Sequence, residues 1–175
     1  MSTQEFEIPP PGKFAMMFPL IIGIVPTLGI LTAIALSGRE PKALLAALPA
    51  LLILPLAAGG LAWSMHRQKI RLVDKVLSWG VMPWRRTTVA ALDLDAARIV
   101  NLDEVRELQP VFKFSGTSLP GYRSGKFRLR NRQRASLLLT EWRRVLVLPR
   151  RDGGPILLSA QKPDALLDAL RRASR

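Results

Sequence analysis

Two long runs without any ionisable side chain place the strongest constraint on what this chain can fold into. The first extends from Phe14 to Leu36 and the second from Ala43 to Met65, so each contains 23 residues. As an α-helix, a run of this length is about 34 Å long and can cross a hydrocarbon core of roughly 30 Å with some tilt. The sequence therefore predicts transmembrane helices at residues 14–36 and 43–65.

Two other interpretations fit these runs less well. Buried helices of a soluble bundle would carry a polar stripe at helical period, and FAMMFPLIIGIVPTLGILTAIAL has none. A cleaved signal peptide would account for the small residues Ala35 and Ser37. However, the preceding MSTQEFEIPPPGK is acidic where a signal peptide is basic, and the run is too long for its apolar region.

The charge of the chain lies almost entirely behind the second run. The net charge is +13, and 23 of the 26 Lys and Arg residues lie from Arg67 onward, together with 10 of the 13 acids. Loops rich in cations stay in the cytoplasm, and the connector of residues 37–42 holds only two cations, with a glutamate between them. We therefore expect a cytoplasmic tail at residues 1–13, a short external loop at 37–42 and a cytoplasmic domain at 66–175. The absence of cysteine fits a reducing compartment.

Prolines and small residues interrupt both predicted spans. They are Pro19, Pro26, Pro49 and Pro55, with Gly23, Gly29, Gly59 and Gly60 beside them. Such residues predict kinked helices and are tolerated in lipid where neighbouring groups satisfy the freed carbonyls. The polar candidates for a transport site are hydroxyls such as Thr27 and Thr32, so we expect no transport by this chain alone. The alanines of the second span allow close approach of the helices or of another membrane protein.

From Lys69 onward, short apolar segments alternate with turn residues, which predicts an all-β domain. The predicted strands are Ile70–Val73, Val76–Trp79, Thr87–Leu94, Arg98–Leu102, Lys126–Arg130, Ala135–Thr140, Val145–Pro149 and Pro155–Ser159. Two hairpins are expected, one across Asn131-Arg132 and one across residues 151–154, where Asp and Gly supply left-handed conformations. The final KPDALLDALRRASR predicts an amphipathic helix whose leucines cover an open edge or mouth of the sheet.

Four segments in this part carry a resemblance to a known family: LPGYRSGKFRLRNRQRASLLLT, RRVLVLP, DGGPILLS and KPDALLDAL. They resemble the bacterial pleckstrin-homology (PH) domain families, whose members often follow one or two membrane helices. The resemblance is best over residues 119–170 and implies a small bent β-barrel with a C-terminal helix, a binding or scaffolding role, and no particular ligand. Eukaryotic relatives bind phosphoinositides through basic residues around the loop between the first two strands, which here is only Asp74-Lys75.

The expected fold class is therefore a two-helix transmembrane hairpin followed by a mainly-β, PH-like small barrel or sheet capped by a C-terminal α-helix. The expected location is the inner membrane of a bacterial cell, with both termini in the cytoplasm. The expected function is a non-enzymatic binding or scaffolding module. The alternative is an accessory subunit of a membrane enzyme or transporter complex, packed through its two helices. The oligomeric state is not predicted.

A run of cations after residue 122 is the first candidate site. It consists of Arg123, Lys126, Arg128, Arg130, Arg132 and Arg134. In a strand, Lys126, Arg128 and Arg130 share one face while Phe127 and Leu129 take the other, so the charges form a stripe. The stripe fits a solvated face, anionic lipid headgroups or an acidic protein partner, and the sequence leaves these three open. Nucleic acid is not expected, because Tyr122 is the only nearby aromatic that could stack on bases.

A second candidate site is the segment WGVMPWRR. Its two indoles, Trp79 and Trp84, its apolar tip and its two arginines, Arg85 and Arg86, suit a loop that dips into a membrane interface. Tryptophans of an ordinary strand and core are the alternative.

Groups that could perform catalysis are few. There is no cysteine, and His66 stands at the end of the second span. Gly116 and Gly121 have the spacing of a P-loop, but Tyr122-Arg123 replaces its Lys-Ser/Thr, so these glycines are read as turn and bulge residues. We expect no enzyme activity, no catalytic residue, no metal site and no cofactor.

Overall fold

The structure, a computed structural model, describes residues 3–36, 41–80 and 85–175, without the side chains of 41–44. The predicted external loop at 37–42 therefore falls mostly outside the described residues. The chain divides into two compact units, one formed by Lys13–His66 and one by Met1–Gly12 with Arg67–Arg175. Apart from one short N-terminal strand, two long apolar helices precede two β-sheets and a C-terminal helix, which confirms the predicted fold class.

The first unit is a pair of helices, α1 (Lys13–Leu36) and α2 (Pro41–His66), and each continues through its two prolines. Both are long and apolar enough to cross a membrane, and few of their residues are buried. The helices approach closely at Gly23, where a Cβ atom would lie only 2.8 Å from the Cβ of Ala58. A larger residue at position 23 would therefore push the two helices apart.

The hydroxyl groups within α1 are satisfied by the helix itself. Thr27 Oγ1 donates a hydrogen bond to the carbonyl of Gly23 at 2.5 Å, and Thr32 Oγ1 donates to the carbonyl of Leu28 at 2.8 Å. Such bonding back to the preceding turn removes the cost of placing a hydroxyl in an apolar medium.

The second unit contains two sheets. In the first, with order β1-β2-β3-β4 and antiparallel neighbours, the strands are Thr3–Phe6 (β1), Lys69–Val73 (β2), Val76–Gly80 (β3) and Arg85–Thr88 (β4). In the second, with order β5-β9-β10-β8-β7-β6, they are Arg98–Val100 (β5), Pro110–Leu119 (β6), Tyr122–Leu129 (β7), Arg134–Leu139 (β8), Val145–Arg150 (β9) and Gly153–Ser159 (β10). Among the described strands of this sheet, only the β8 and β10 pair is parallel. The chain ends in α3, Pro163–Ser174.

The N-terminal segment supplies a strand that the sequence did not reveal. β1 pairs with β2 over four residue pairs, from Thr3 opposite Val73 to Phe6 opposite Ile70. Glu5 forms ion pairs across this ladder with the side chains of Lys69 and Arg71, at 2.7 and 2.8 Å. The residues that precede α1 therefore belong to the same sheet as the residues that follow α2.

The carboxyl of Glu5 gives a pH-dependent test of this pairing. The hydrogen bond from Lys69 and the charge of Arg71 lower the pKa of Glu5 below its usual value of 4.5. Since the pKa is lower in the folded than in the unfolded chain, the stabilisation is present above the unfolded pKa and is lost as the pH falls through the folded pKa. An NMR titration of the full chain in micelles should show this lowered pKa, and Lys69→Gln with Arg71→Gln should restore an ordinary value. An unshifted Glu5 in the parent chain would contradict the ladder.

Two hydrophobic cores cover both faces of the six-stranded sheet. The first core joins one face of that sheet to the four-stranded sheet and α3, through residues such as Leu77, Leu138 and Leu170. The second core lies on the opposite face, where Leu102 and Leu108 pack against strand residues such as Leu137. On α3, the leucines of the predicted apolar face are buried, as expected: Leu166, Leu167 and Leu170.

Both predicted hairpins are present, but the reason for the glycines in the second differs from the expected one. β7 and β8 pair across a turn in which Arg132 has φ 68°, and β9 and β10 pair as predicted. Neither Gly153 nor Gly154 has a positive φ. Gly154 is needed for space instead, because a Cβ atom there would lie 1.5 Å from the carbonyl oxygen of Arg134 on the parallel strand β8.

The predicted strand Thr87–Leu94 is wrong beyond its second residue. β4 ends at Thr88, and a short 3₁₀ turn follows at Val89–Ala91. The amide of Val89 donates to the carbonyl of Lys75 at 2.8 Å, and the carbonyl of Val89 accepts from Leu92 at 3.0 Å. These bonds turn the chain away from the first sheet, and a period-two apolar pattern does not reveal them.

Candidate binding surface

β7 places its cations and its apolar side chains on opposite faces. Lys126 and Arg128 are exposed, whereas Phe127 and Leu129 between and after them are buried in the second core. The exposures follow the alternation expected of a strand. The charges therefore occupy the surface without removing any residue from the core.

The neighbouring strands extend this exposed face. Arg128 of β7 lies opposite Phe112 of β6 on one side and opposite Arg134 of β8 on the other. Because directly opposite residues in antiparallel strands point to the same face, these three side chains form one row across the sheet. Lys126 lies in the next row along β7, opposite Ser115 and Ser136.

Two phenylalanine rings stand within this group of cations. The ring centroids of Phe112 and Phe114 are 5.2 Å apart with an interplanar angle of 77°, which is an edge-to-face contact. The guanidinium carbon of Arg134 lies 4.9 Å from the centroid of the Phe114 ring, within the range of a cation–π interaction. We call this surface, formed by Phe112, Phe114, Lys126, Arg128 and Arg134, the aromatic–basic patch.

Arg123, the first cation of the predicted stripe, lies apart from the patch. It is paired with Leu139 on the opposite face of the sheet. Its guanidinium donates to the carbonyl of Pro110 at 2.8 Å and lies 5.0 Å from the ring centroid of Trp142. Burial lowers the pKa of this guanidinium. Arg123 therefore holds the start of β6 against β7 rather than adding to the exposed charge.

Arg130 and Arg132 lie in the exposed turn between β7 and β8. The turn is fixed by its backbone, because the amide of Arg130 donates to Gln109 at 2.9 Å and the amide of Asn131 donates to Glu107 at 3.0 Å. Both arginine side chains are exposed beside the aromatic–basic patch. The turn thus presents two further charges on a rigid support.

A family model described as Bacterial PH domain matches residues 86–174, just over half of the chain. This chain belongs to the bacterial PH domain family. The matched segment begins in β4 and ends in α3, so it contains the six-stranded sheet with the aromatic–basic patch, while β1 to β3 and both long helices precede it. No curated protein and no solved structure matches the chain.

The β2–β3 hairpin, which precedes the matched segment, has a very short loop. The β2–β3 hairpin turns at Asp74 and Lys75, with φ angles of 46° and 64°. Two consecutive residues in the left-handed region are the geometry of a tight two-residue turn. The loop therefore offers one lysine and no enclosing basic cluster.

The predicted membrane-interface segment is divided by the fold. Trp79 is buried in the first core of the PH domain, on β3, so its indole cannot enter a membrane while that strand is folded. Trp84 lies outside the described residues. The side chain of Arg86 is exposed, and that of Arg85 is half-buried. Sequence alternation could have separated Trp79 from the others, since Leu77 and Trp79 share the apolar face of β3.

Arg85 belongs to a buried polar cluster in the PH domain. Its guanidinium donates to Ser124 Oγ at 3.1 Å, and burial lowers its pKa. The side-chain amide of Gln68 donates to the hydroxyl of Tyr122, and burial raises the pKa of that hydroxyl, although the hydrogen bonds with Ser124 and Gln68 oppose the shift. The cluster ties β4 and the residue before β2 to β7.

The PH domain also has an open cleft of about 610 Å³ at the β9–β10 turn. The charged residues that line it are Arg98, Glu107, Arg134 and Arg150, so the cleft shares Arg134 with the aromatic–basic patch. Arg150 is already engaged, since its Nε donates to the carbonyl of Gly154 at 3.0 Å and lies 3.9 Å from a carboxylate oxygen of Asp152. The cleft therefore offers fewer free charges than the aromatic–basic patch.

The aromatic part of the patch is not among the candidate sites that the sequence predicts. The predicted strands do not include residues 110–119, and the predicted site residues do not include Phe112 or Phe114. The signal available was the i, i+2 spacing of the two rings in VFKF, which is typical of one strand face. Among the described residues, no group of three or more His, Cys, Asp or Glu side chains that could hold a metal ion is found.

Proposed function

We propose that this protein is a non-enzymatic binding module, a PH domain held at the cytoplasmic face of a bacterial inner membrane by a two-helix hairpin. The pairing of β1 with β2 carries the proposal. β1 precedes α1, β2 follows α2, and the two strands form one antiparallel ladder. Strands of one ladder must lie on the same side of a bilayer, so two spans between them must leave that side and return to it.

The same ladder argues against a cleaved signal peptide. Cleavage after α1 would remove Thr3–Phe6 and leave β2 as an unpaired edge of the first sheet. The exposure of the two helices argues against a soluble core, since a core helix buries most of its residues and these bury few. The cytoplasmic assignment rests on the cations at Arg67, Lys69 and Arg71, directly after α2.

Cysteine labelling of the full chain in cells tests this topology, because the chain has no cysteine of its own. A membrane-impermeant maleimide should label Ser37→Cys in intact cells, and should label Thr3→Cys and Ser174→Cys only after lysis. Labelling of Ser174→Cys in intact cells would invert the proposed orientation. Labelling of Thr3→Cys and Ser174→Cys from opposite sides would refute the β1–β2 ladder together with the proposal.

The aromatic–basic patch is the proposed binding surface of the module. It is solvent-exposed, it lies on the three neighbouring strands β6, β7 and β8, and Arg130 and Arg132 add charge beside it. A rigid scaffold of this kind holds its surface side chains in fixed positions, which lowers the entropy cost of binding. The basic character favours an anionic ligand, either lipid headgroups or an acidic protein.

An accessory subunit of a membrane enzyme or transporter complex is the second candidate. The observation that favours it is an apolar cavity of about 320 Å³ between α1 and α2, lined by Pro19, Gly23, Pro55 and Ala58 among others. Small residues that leave room at a helix surface allow another transmembrane helix to pack closely. Replacing both helices by an unrelated hairpin separates the candidates, since a binding module would keep its ligand and such a subunit would lose its complex.

A further inference from the structure

The apolar side chains exposed on the β-sheet unit are confined to one strand. Within the described part of residues 67–175, Val111, Phe112 and Phe114 are the exposed large hydrophobic side chains, at 56%, 57% and 44% exposure. All three lie in the first half of β6. Single exposed apolar residues are ordinary, but a group confined to one strand marks an interaction surface.

This strand is also an edge. β6 is the last strand of the six-stranded sheet, it is ten residues long, and among the described residues only β7 pairs with it. The register of the pairing with β7 shifts between Pro110 and Phe112 and again between Lys113 and Ser115. From Ser115 to Leu119 the pairing is regular. An unpaired edge offers backbone groups to an incoming extended chain, and adjacent side chains then select its sequence.

The cations beside the edge have no acidic partners in the described structure. None of Lys126, Arg128, Arg130, Arg132 and Arg134 forms an ion pair with a described carboxylate, although Lys69, Arg71, Arg144 and Arg150 do. Arg134 is held over the ring of Phe114, which fixes one charge close to the edge strand. The surface therefore combines apolar contact area, backbone groups and uncompensated positive charge.

We propose that an extended, acidic segment of a partner protein binds along β6, pairing with its outer edge and placing carboxylates on the cations of the aromatic–basic patch. This inference rests on the proposed role as a binding module and names its class of partner. Apolar side chains of the segment would pack on Phe112 and Phe114. Its carboxylates would meet Arg128 and Arg134.

The other occupants fit the surface less well. A second copy of this chain would bring its own basic patch against this one, and like charges repel. One face of the Phe114 ring is occupied by Arg134, and the Phe112 ring stands at 77° to it, so the two rings do not form a parallel platform on which successive bases stack. A lipid surface would leave the backbone groups of the β6 edge unpaired, whereas an extended segment pairs with them.

The test uses the full chain in nanodiscs of neutral lipid and a fluorescent peptide of about ten residues that alternates glutamate and valine. We expect saturable binding that weakens with salt, and protection of the β6 amides in hydrogen exchange. Two variants should each weaken binding by about tenfold or more: Phe112→Ser with Phe114→Ser, and Arg128→Gln with Arg134→Gln. The matched control, Arg171→Gln with Arg172→Gln on α3, removes the same charge and should leave binding unchanged. Phe112→Tyr with Phe114→Tyr should retain it.

Further experiments distinguish strand pairing by an acidic peptide from binding of other ligands. Methylation of the peptide's backbone amides removes the N–H groups that pair with the edge of β6, so the methylated peptide should bind much more weakly. If the methylated and unmethylated peptides bind equally well, the proposed strand pairing is wrong. If a peptide that alternates lysine and valine binds as tightly as the glutamate–valine peptide, the proposal that the partner is acidic is wrong. Protection of β6 by nanodiscs containing phosphatidylglycerol, without peptide, would assign the surface to lipid. Tighter binding of a uridine oligonucleotide, lost in the same variants, would assign it to nucleic acid.

Absence of peptide binding at about 1 mM would also overturn the inference. Circular dichroism of each variant would establish that a loss of binding is not a loss of folding. The cysteine labelling described above does not depend on the peptide. If the peptide does not bind but the cysteines are labelled as expected, only this inference is wrong. If the cysteines are labelled in the inverted orientation, the proposed function itself is wrong.

Discussion

Gly125→Ala is expected to lower the free energy of unfolding of the β-sheet unit by about 3 kcal/mol. Gly125 on β7 lies opposite Gly116 on β6, with φ angles of 149° and 106°. A Cβ atom at position 125 would lie 1.9 Å from the carbonyl oxygen of Ser115, which is backbone and cannot move aside as a flexible side chain can. The substitution therefore combines backbone strain with a steric overlap between two paired strands.

The measurement is thermal unfolding of the full chain in detergent micelles, followed by circular dichroism. A loss of this size should lower the melting temperature by about 10 °C or more in a unit of this length. Gly12→Ala is the matched control, since no atom lies within 4 Å of its Cβ position. Equal melting temperatures for the two variants would show that β6 and β7 are not as close at this point as described. Gly125 directly precedes Lys126 of the aromatic–basic patch, so a distortion of β7 at position 125 should also disturb the patch.

Leu170→Asp should have a larger effect, a loss of about 4 kcal/mol or more in the free energy of unfolding. Leu170 lies on α3, is fully buried and packs in the first core between the two sheets. The change removes apolar contact and buries a carboxylate for which this core supplies no cation. Total stabilities of about 5 to 15 kcal/mol are typical, so much of the chain would be unfolded.

Arg171→Asp is the control for Leu170→Asp, because Arg171 is the exposed neighbour on the same helix. Limited proteolysis and amide exchange of the full chain in micelles should show rapid cleavage and exchange of residues 67–175 in the first variant and near-parental protection in the second. Comparable protection in both variants would mean that α3 does not close the core. The micelle should protect the two hydrophobic helices in both variants. Differences in cleavage and amide exchange between the variants therefore report on the β-sheet unit.

Local patterns predicted the parts of the fold that depend on neighbouring residues. The two uncharged runs, the alternation in β7 and the leucines of α3 each repeat at the period of their element, so their type and buried face follow from sequence. The same alternation separates Arg123 from Lys126, because an odd spacing places two strand residues on opposite faces. The predicted stripe nevertheless treats the run of cations as one set, and the contacts of Arg123 with Pro110 and Trp142 separate Arg123 from the others.

The parts that were missed depend on distant residues or reverse the usual pattern. β1 consists of only four residues, and Glu5 is 64 residues from Lys69, so its pairing leaves no local signal. β6 exposes Phe112 and Phe114 and has few buried residues, which is the reverse of an apolar face turned toward a core. The two aromatic residues of the aromatic–basic patch therefore could not be found by looking for core strands.

The ladder between β1 and β2 also orders the events of biosynthesis. Thr3–Phe6 leaves the ribosome first, yet its partner strand Lys69–Val73 follows both helices. Under the proposed topology, the first sheet cannot be completed until the chain has inserted both α1 and α2 and synthesis has reached β2. Insertion of only one helix would then place β1 and β2 on opposite sides of the membrane and leave β2 as an exposed sheet edge, open to proteolysis. Completion of the first sheet would thus require correct insertion of both helices.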